Sequence, residues 1–152
     1  GMLVILDSIL NRIIANRKKG KQTFVFIDEI YILFMHEYSA QFLFKLWKRV
    51  RKYGAYCTGL TQNVEDLLQS HTARTMLSNS EFIIMLNQAA TDRDELAKLL
   101  NISDQQLSFI KNVSAGCGLI KVGSSLVPFE NNFPKNTRLY RLMTTKPNDD
   151  FR

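Results

Sequence analysis

The segment 23–27 constrains the fold of this chain more than any other feature of its sequence. Its residues, Thr-Phe-Val-Phe-Ile, form a continuous run of strand-forming side chains, and Asp28 and Glu29 follow at once. Such runs are typical of strands that are buried on both faces of a parallel sheet. Because parallel strands are joined by crossover connections, usually helices, the run predicts an α/β fold with a mainly parallel sheet.

The remaining sequence supplies the helices and strands that this fold requires. Gly20 and Gly54 are predicted to end the first two helices, Ser39 to cap the start of the second, and Thr91 to cap the start of a later one. The predicted helices are 3–17, 39–53, 64–69, 91–100 and a last one that begins at Ser103 or Asp104 and ends near 111. The predicted strands are 23–27, 55–61, 81–86, a hairpin of 118–122 and 126–129 around Gly123-Ser124-Ser125, and a short strand at 139–143.

Length and composition narrow the class of protein. The 152 residues suit a single domain with a sizeable core, ending in a polar, extended tail over 131–152. The net charge of +6 permits a nucleic-acid or acidic membrane partner without requiring one. The two cysteines, Cys57 and Cys117, form no CxxC motif, which argues against a zinc or redox site and favours free thiols. No apolar run reaches the length that spans a bilayer.

The acidic pair Asp28-Glu29 is the first candidate for chemistry. It follows a predicted buried strand, and ligands of open α/β sheets bind at the carboxyl ends of the strands. One carboxylate at such a place can hold a magnesium ion, often through water, and a second can orient and deprotonate an attacking water. A solvated strand end is an equally good interpretation of this motif by itself.

Two further features are candidates of lower specificity. Gln62 follows the second predicted strand, where an amide could sense a terminal phosphate or position water; a turn or helix-cap role, shared with Thr61 or Asn63, is the simpler interpretation. The segment 48–52 is Lys-Arg-Val-Arg-Lys, and Arg51 borders the apolar stripe of its helix. It could offer an arginine to a neighbouring subunit's phosphate or contact DNA, although most such runs are solvated helix faces.

The order of these parts is more specific than any one of them. A strand that ends in Asp-Glu is followed by a helix that ends Arg-x-Arg-Lys-x-Gly and by a strand that ends Thr-Gln-Asn. This order resembles the C-terminal motor domain of the conjugative-transfer and type IV secretion ATPases, the family of the fourth VirB protein. The resemblance implies a P-loop NTPase fold of the RecA or HerA-FtsK kind, with a mainly parallel sheet flanked by helices and a C-terminal β-hairpin.

The resemblance also implies functional roles. Asp28 and Glu29 would be the Walker B pair, with Asp28 supporting Mg²⁺ through water and Glu29 activating the attacking water. Gln62 would contact the nucleotide as a sensor, and Arg49 or Arg51 would act across a subunit boundary. The implied cofactors are ATP and Mg²⁺. The implied partners are other copies in a ring, a hexamer, and membrane-embedded secretion proteins, with DNA as a further candidate, at the cytoplasmic face of the cell membrane.

The sequence departs from that family in one respect, because it contains no GxxxxGK[ST] phosphate loop. Gly20-Lys21 is not one, since Gln22 stands in place of Ser or Thr and Ala15 in place of the first glycine. The chain is therefore predicted to be a C-terminal fragment of a motor domain, inactive alone. Between the strands 55–61 and 81–86 its sheet is predicted either to have a gap that exposes unpaired edges or to be filled by another segment or chain. Two other classes stay open: a non-catalytic DNA-binding or assembly module, and another hexameric DNA translocase.

Overall fold

A computed structural model describes residues 2–144 of the chain. Helices and strands alternate through the first half, as an α/β fold requires. The helices are α1 (Met2–Lys18), α2 (Glu37–Val50), α3 (Val64–Gln69), α4 (His71–Ser78), α5 (Ala90–Leu100), α6 (Asp104–Leu107) and α7 (Arg138–Met143). The strands are β1 (Thr23–Ile27), β2 (Ala55–Gly59), β3 (Phe82–Met85), β4 (Cys117–Val122) and β5 (Ser125–Glu130). Short 3₁₀ turns lie at Ile30–Phe34, Arg51–Tyr53 and Ser108–Ile110.

The strands form two separate sheets. β1 and β2 pair in parallel, in a register that runs from Thr23 opposite Ala55 to Ile27 opposite Gly59. β3, β4 and β5 form an antiparallel sheet in that order, with the predicted hairpin as β4–β5. Among the described residues β2 and β3 do not pair, so each has one unpaired edge. The expected gap is confirmed, but the parallel sheet has only two strands, and β3 pairs antiparallel with its neighbour.

Each sheet packs one face against helices. Beside the parallel sheet, α1 and α2 contribute the fully buried side chains of Ile13 and Leu43 to a first core. Beside the antiparallel sheet, Leu119 and Ile110 are fully buried in a second core. The neighbouring helices α3 and α4 join the two cores, because α3 places one leucine, Leu67, in the first core and Leu68 in the second.

The opposite face of each sheet is open and apolar. On the parallel sheet the side chains of Phe24 and Phe26 are 61% and 70% exposed, and the ring of Phe24 stacks on that of Tyr56 at 5.1 Å. On the antiparallel sheet Phe82 and Ile84 are exposed in the same way. The prediction that β1 is buried on both faces is therefore wrong for the described residues, since only one face has helices packed on it.

Several local predictions are confirmed. Gly20 and Gly54 have φ angles of 68° and 66°, the left-handed backbone that ends helices. Ser103 begins α6 with a capping box, in which its hydroxyl accepts from the backbone N–H of Gln106 and the Gln106 side chain returns to the Ser103 N–H. Asn63, weighed beside Thr61 as a cap, is the N-cap of α3, and its side chain accepts from Asp66 N–H at 3.0 Å.

Other local predictions are wrong. Ser39 does not cap α2, which begins at Glu37; Ser39 is buried in the first turn, and its hydroxyl donates to the carbonyl of Leu33 at 2.6 Å. Thr91 does not cap α5 either, because that helix begins one residue earlier, after Ala89.

The predictions for two other segments also need correction. The segment 139–143 is helical in α7 rather than a strand, because Thr137 caps it by accepting from the N–H of Tyr140. The sequence reasoning missed α4, whose cap, Ser70, accepts from Ala73 N–H. No helix among the described residues is both long and apolar enough to cross a membrane.

Candidate functional site

The parallel register brings the predicted site residues to one edge of the sheet. β1 ends at Ile27 and β2 at Gly59, which are directly opposite each other. The residues that follow, Asp28 and Glu29 after β1 and Gln62 after β2, therefore lie side by side. We call this the carboxyl edge, defined by Asp28, Glu29 and Gln62.

The backbone forms a bulge at the carboxyl edge. The Leu60 N–H donates to the Ile27 carbonyl at 2.8 Å, and the Ile30 N–H donates to the Leu60 carbonyl at 2.9 Å. In a regular parallel ladder these two bonds enclose one residue, whereas here they enclose two, Asp28 and Glu29. The extra residue is accommodated because Glu29 adopts a left-handed backbone, with φ 48° and ψ 48°. We call this feature the Glu29 bulge.

The side chains of the acidic pair have different surroundings. Asp28 is exposed, and its Oδ1 accepts from the Glu29 N–H at 3.0 Å. Glu29 is half-buried, and its Oε2 lies 3.5 Å from the backbone nitrogen of Gln62, at the outer limit of a hydrogen bond. Glu29 thus reaches across to the chain that leaves β2, whereas Asp28 stays beside its own turn.

Two apolar residues shape this edge, and the sequence reasoning did not identify either. Ile30 is buried directly after the bulge and packs over Gly59. A Cβ atom at position 59 would lie 2.5 Å from Ile30 Cδ1 and 3.3 Å from its Cγ2. A glycine inside a strand often marks a close approach of another group, so Gly59 carried a signal that could have been read.

The model of the TraG P-loop domain matches residues 2–117. The chain belongs to the TraG P-loop domain family. No curated protein matches it. Among solved structures, VirB4 of Thermoanaerobacter pseudethanolicus matches with a TM-score of 0.75 and 24% identity over 83% of this chain.

The match to the TraG P-loop domain confirms the family resemblance stated from the sequence, and the likeness to VirB4 confirms the α/β fold. The match covers 34% of the VirB4 chain, so this TraG-family chain spans about a third of that protein's length. The matched range 2–117 includes all of the candidate site residues.

The carboxyl edge of this TraG-family chain fits a magnesium–nucleotide group. Carboxylate oxygens such as those of Asp28 and Glu29 are ligands that Mg²⁺ accepts, and Mg²⁺ usually takes one or two carboxylates together with substrate phosphates and water. Within residues 2–144 no three His, Cys, Asp or Glu side chains form a group that could hold a metal. Two carboxylates are few for a metal site made of protein ligands alone, and they suit a metal that also takes phosphate oxygens.

The two candidate arginines lie elsewhere. Arg49 is in the last turn of α2 and Arg51 in the 3₁₀ turn before β2, both exposed. They lie near the amino edge of the parallel sheet, where Thr23 N–H donates to the Gly54 carbonyl. Strands of five residues put this edge roughly 15 Å from the carboxyl edge. Neither guanidinium is placed to serve the acidic pair of its own chain.

A surface groove lies apart from the carboxyl edge, between the first turn of α1 and the first half of α2. None of the candidate site residues lines it. Its lining residues are Leu3, Glu37, Tyr38, Gln41, Phe42 and Lys45.

Proposed function

We propose that this chain forms the C-terminal part of an ATP-hydrolysing motor in a conjugation or type IV secretion apparatus. One observation carries the proposal: the parallel register of β1 and β2 sets Asp28 and Glu29 beside Gln62 in a chain of a P-loop family. The acidic pair lies at the carboxyl ends of parallel strands, and this is where open α/β sheets bind their ligands.

Each residue of the carboxyl edge has a role in this proposal. Asp28 is exposed and supports Mg²⁺ through water. Glu29 accepts a proton from the attacking water, as a positioned general base does. Gln62 follows the neighbouring strand, where its amide contacts the terminal phosphate or the water. Bound Mg²⁺ would supply charge neutralisation at the phosphates.

The positions of the arginines support a shared site between subunits. Because Arg49 and Arg51 lie near the amino edge, either could reach a phosphate only in another copy of the chain. Head-to-tail contacts generate rings where the rotation between neighbouring subunits closes. The proposed assembly is accordingly a ring, a hexamer, in contact with membrane-embedded secretion proteins at the cytoplasmic face of the membrane.

The phosphate loop has to come from polypeptide outside the 152 residues. No GxxxxGK[ST] segment occurs in the sequence, and β2 and β3 each have an unpaired edge that could receive the strand leading into such a loop. We expect the chain alone to hydrolyse ATP poorly or not at all.

A second candidate is a non-catalytic DNA-binding or assembly module, which the charge distribution favours. The Arg17 side chain lies beside Gly54, which brings the basic end of α1 next to Arg51 and Lys52. Neither 8–27 nor 38–64 contains an acidic residue. Salt-sensitive DNA binding without a nucleotide effect would support this candidate. Another hexameric DNA translocase would share the carboxyl edge described here.

The deciding experiment measures magnesium-dependent ATP hydrolysis by the polypeptide extended upstream to include its phosphate loop. We expect the Glu29→Gln variant to bind ATP and to hydrolyse it about 10² to 10⁴ times more slowly, the usual contribution of a general base. The matched control is Glu65→Gln, an exposed carboxylate in the first turn of α3. If Glu29→Gln is as active as its parent, the acidic pair is only a strand end, and the assembly module becomes the better proposal.

A further inference from the structure

The Glu29 bulge is the least regular backbone of the carboxyl edge. Three non-glycine residues among those described have positive φ, and the other two are asparagines, Asn101 and Asn112. Asparagine tolerates the left-handed region far better than most residues, whereas for glutamate it is unfavourable. Glycine is the usual residue at such a position in a bulge. A glutamate there is strained, and strained backbone is retained where the surrounding structure enforces it.

Contacts on both sides of the bulge hold Glu29 in its left-handed backbone conformation. Before it, the Ile27 carbonyl accepts from the Leu60 N–H; after it, the Ile30 N–H donates to the Leu60 carbonyl. The two segments are therefore fixed two residues before Glu29 and one residue after it. The Ile30 side chain is buried over Gly59, which closes the bulge against β2. A side chain at position 59 would force Ile30 away and open the bulge.

We infer that the Glu29 bulge is a positioning device for the proposed base. It turns Glu29 out of the ladder so that its carboxylate reaches the Gln62 backbone, and it closes because position 59 has no side chain. Gly59 and Ile30 are then positioning residues that act through Glu29, and Leu60 supplies the backbone bonds. The inference deepens the proposed function, and only its activity test rests on that function.

The first test uses the 152-residue chain and concerns strain alone. At an ordinary exposed position glycine is less stabilising than alanine, because it has more freedom to lose on folding. At a left-handed position the order reverses. We expect Glu29→Gly to unfold at higher denaturant than Glu29→Ala, and the neighbouring pair Asp28→Gly and Asp28→Ala to show the ordinary order. If position 29 shows the same order as position 28, the bulge is not strained and the inference is wrong.

The second test uses the extended polypeptide and concerns positioning. We expect Gly59→Ala to lower kcat for ATP by roughly tenfold to a hundredfold, with KM unchanged, because small displacements of a reacting group have effects of that size. Adding Ile30→Val should restore much of the rate, since valine lacks the Cδ1 atom that a Cβ at position 59 would meet at 2.5 Å. In a Glu29→Gln background, Gly59→Ala should have no further effect.

The outcomes separate the inference from the proposed function. Equal losses from Gly59→Ala with and without the Glu29 carboxylate would make Gly59 a merely structural residue and would overturn the inference. Failure of Ile30→Val to restore the rate would overturn the role of the Ile30–Gly59 contact. If the extended polypeptide has no ATPase activity, the proposed function fails, while the stability order at position 29 still decides whether the bulge is strained.

Discussion

The two sheets of this chain are built alike and serve the candidate site differently. Each packs one face on helices and leaves an apolar face open. In the parallel sheet both strands end at the same edge, so the polar residues after β1 and after β2 meet. In the antiparallel sheet neighbouring strands end at opposite edges, and the turn at Gly123 joins two of them directly. The direction of pairing decides where chemistry can be assembled.

The two sheets, each with the helices packed on it, could fold as one unit or separately. Their cores are distinct, but α3 contributes to both, and α4 packs against α2 on one side and α5 on the other. Helices shared in this way couple the stability of the two sheets.

Core truncations should have the largest effect and should act on both halves. Leu43 and Leu119 are fully buried, one in each core. We expect Leu43→Ala and Leu119→Ala each to lower the free energy of unfolding by about 2–5 kcal/mol. Trp47, the single tryptophan, packs against the first core and reports on the parallel half. Urea unfolding followed by its fluorescence should shift to lower urea for both variants, because α3 and α4 couple the halves.

An exposed leucine provides the matched control for these core truncations. Leu139→Ala, on the exposed side of α7, should change the free energy of unfolding by no more than about 0.5 kcal/mol. If Leu119→Ala leaves the Trp47 transition unchanged, the two sheets unfold independently, and the comparison becomes one of two separate folding units.

The open faces should affect association more than stability. Exposed apolar patches and unpaired edges favour contacts between chains. We expect Phe26→Thr and Ile84→Thr, one on each sheet, to reduce self-association in sedimentation velocity. The free energy of unfolding should change by only about 0.5 kcal/mol for each. Val25→Ala, whose side chain packs against the first core, is the control for the covered face of β1.

A difference in self-association between Phe26→Thr and Ile84→Thr would show which of the two open faces mediates the contact. If Phe26→Thr alone reduces self-association, the contact between chains uses the open face of the parallel sheet. The unpaired edge of β2 lies in the same sheet and could be part of that contact. Unchanged association in both variants would contradict the role given to the open faces.

A further prediction concerns Cys57, whose side chain packs against the first core. Burial raises the pKa of Cys57 from 9.0 to about 11. Between these values the unfolded chain loses the proton while the folded chain keeps it, so stability should fall as pH rises from about 9 to 11. The fall should be smaller in Cys57→Ala, measured by urea unfolding across that range. An identical pH dependence in both proteins would contradict the assignment.

Local signals in the sequence were sufficient for much of the fold. The apolar run of β1, the helical spacing of α1 and the hairpin around Gly123 each depend on neighbours in the chain. Two predictions are wrong because the local residue type favours one structure and another contact decides the outcome. Ser39 has the residue type of a cap, but its hydroxyl bonds the Leu33 carbonyl inside the fold. The apolar residues of 139–143 suit a strand, but the cap at Thr137 begins a helix.

The residues alone indicated that an acidic pair ends an apolar strand, that Gln62 follows the next strand, and which family this order resembles. Only the tertiary structure decided that β3 turns away into an antiparallel sheet and that Glu29 sits in a bulge closed by Ile30 over Gly59. The physical reason is the range of the interactions. Periodicity and caps act over a few residues, whereas strand direction and a bulge depend on hydrogen bonds between segments some thirty residues apart, such as Ile27 to Leu60.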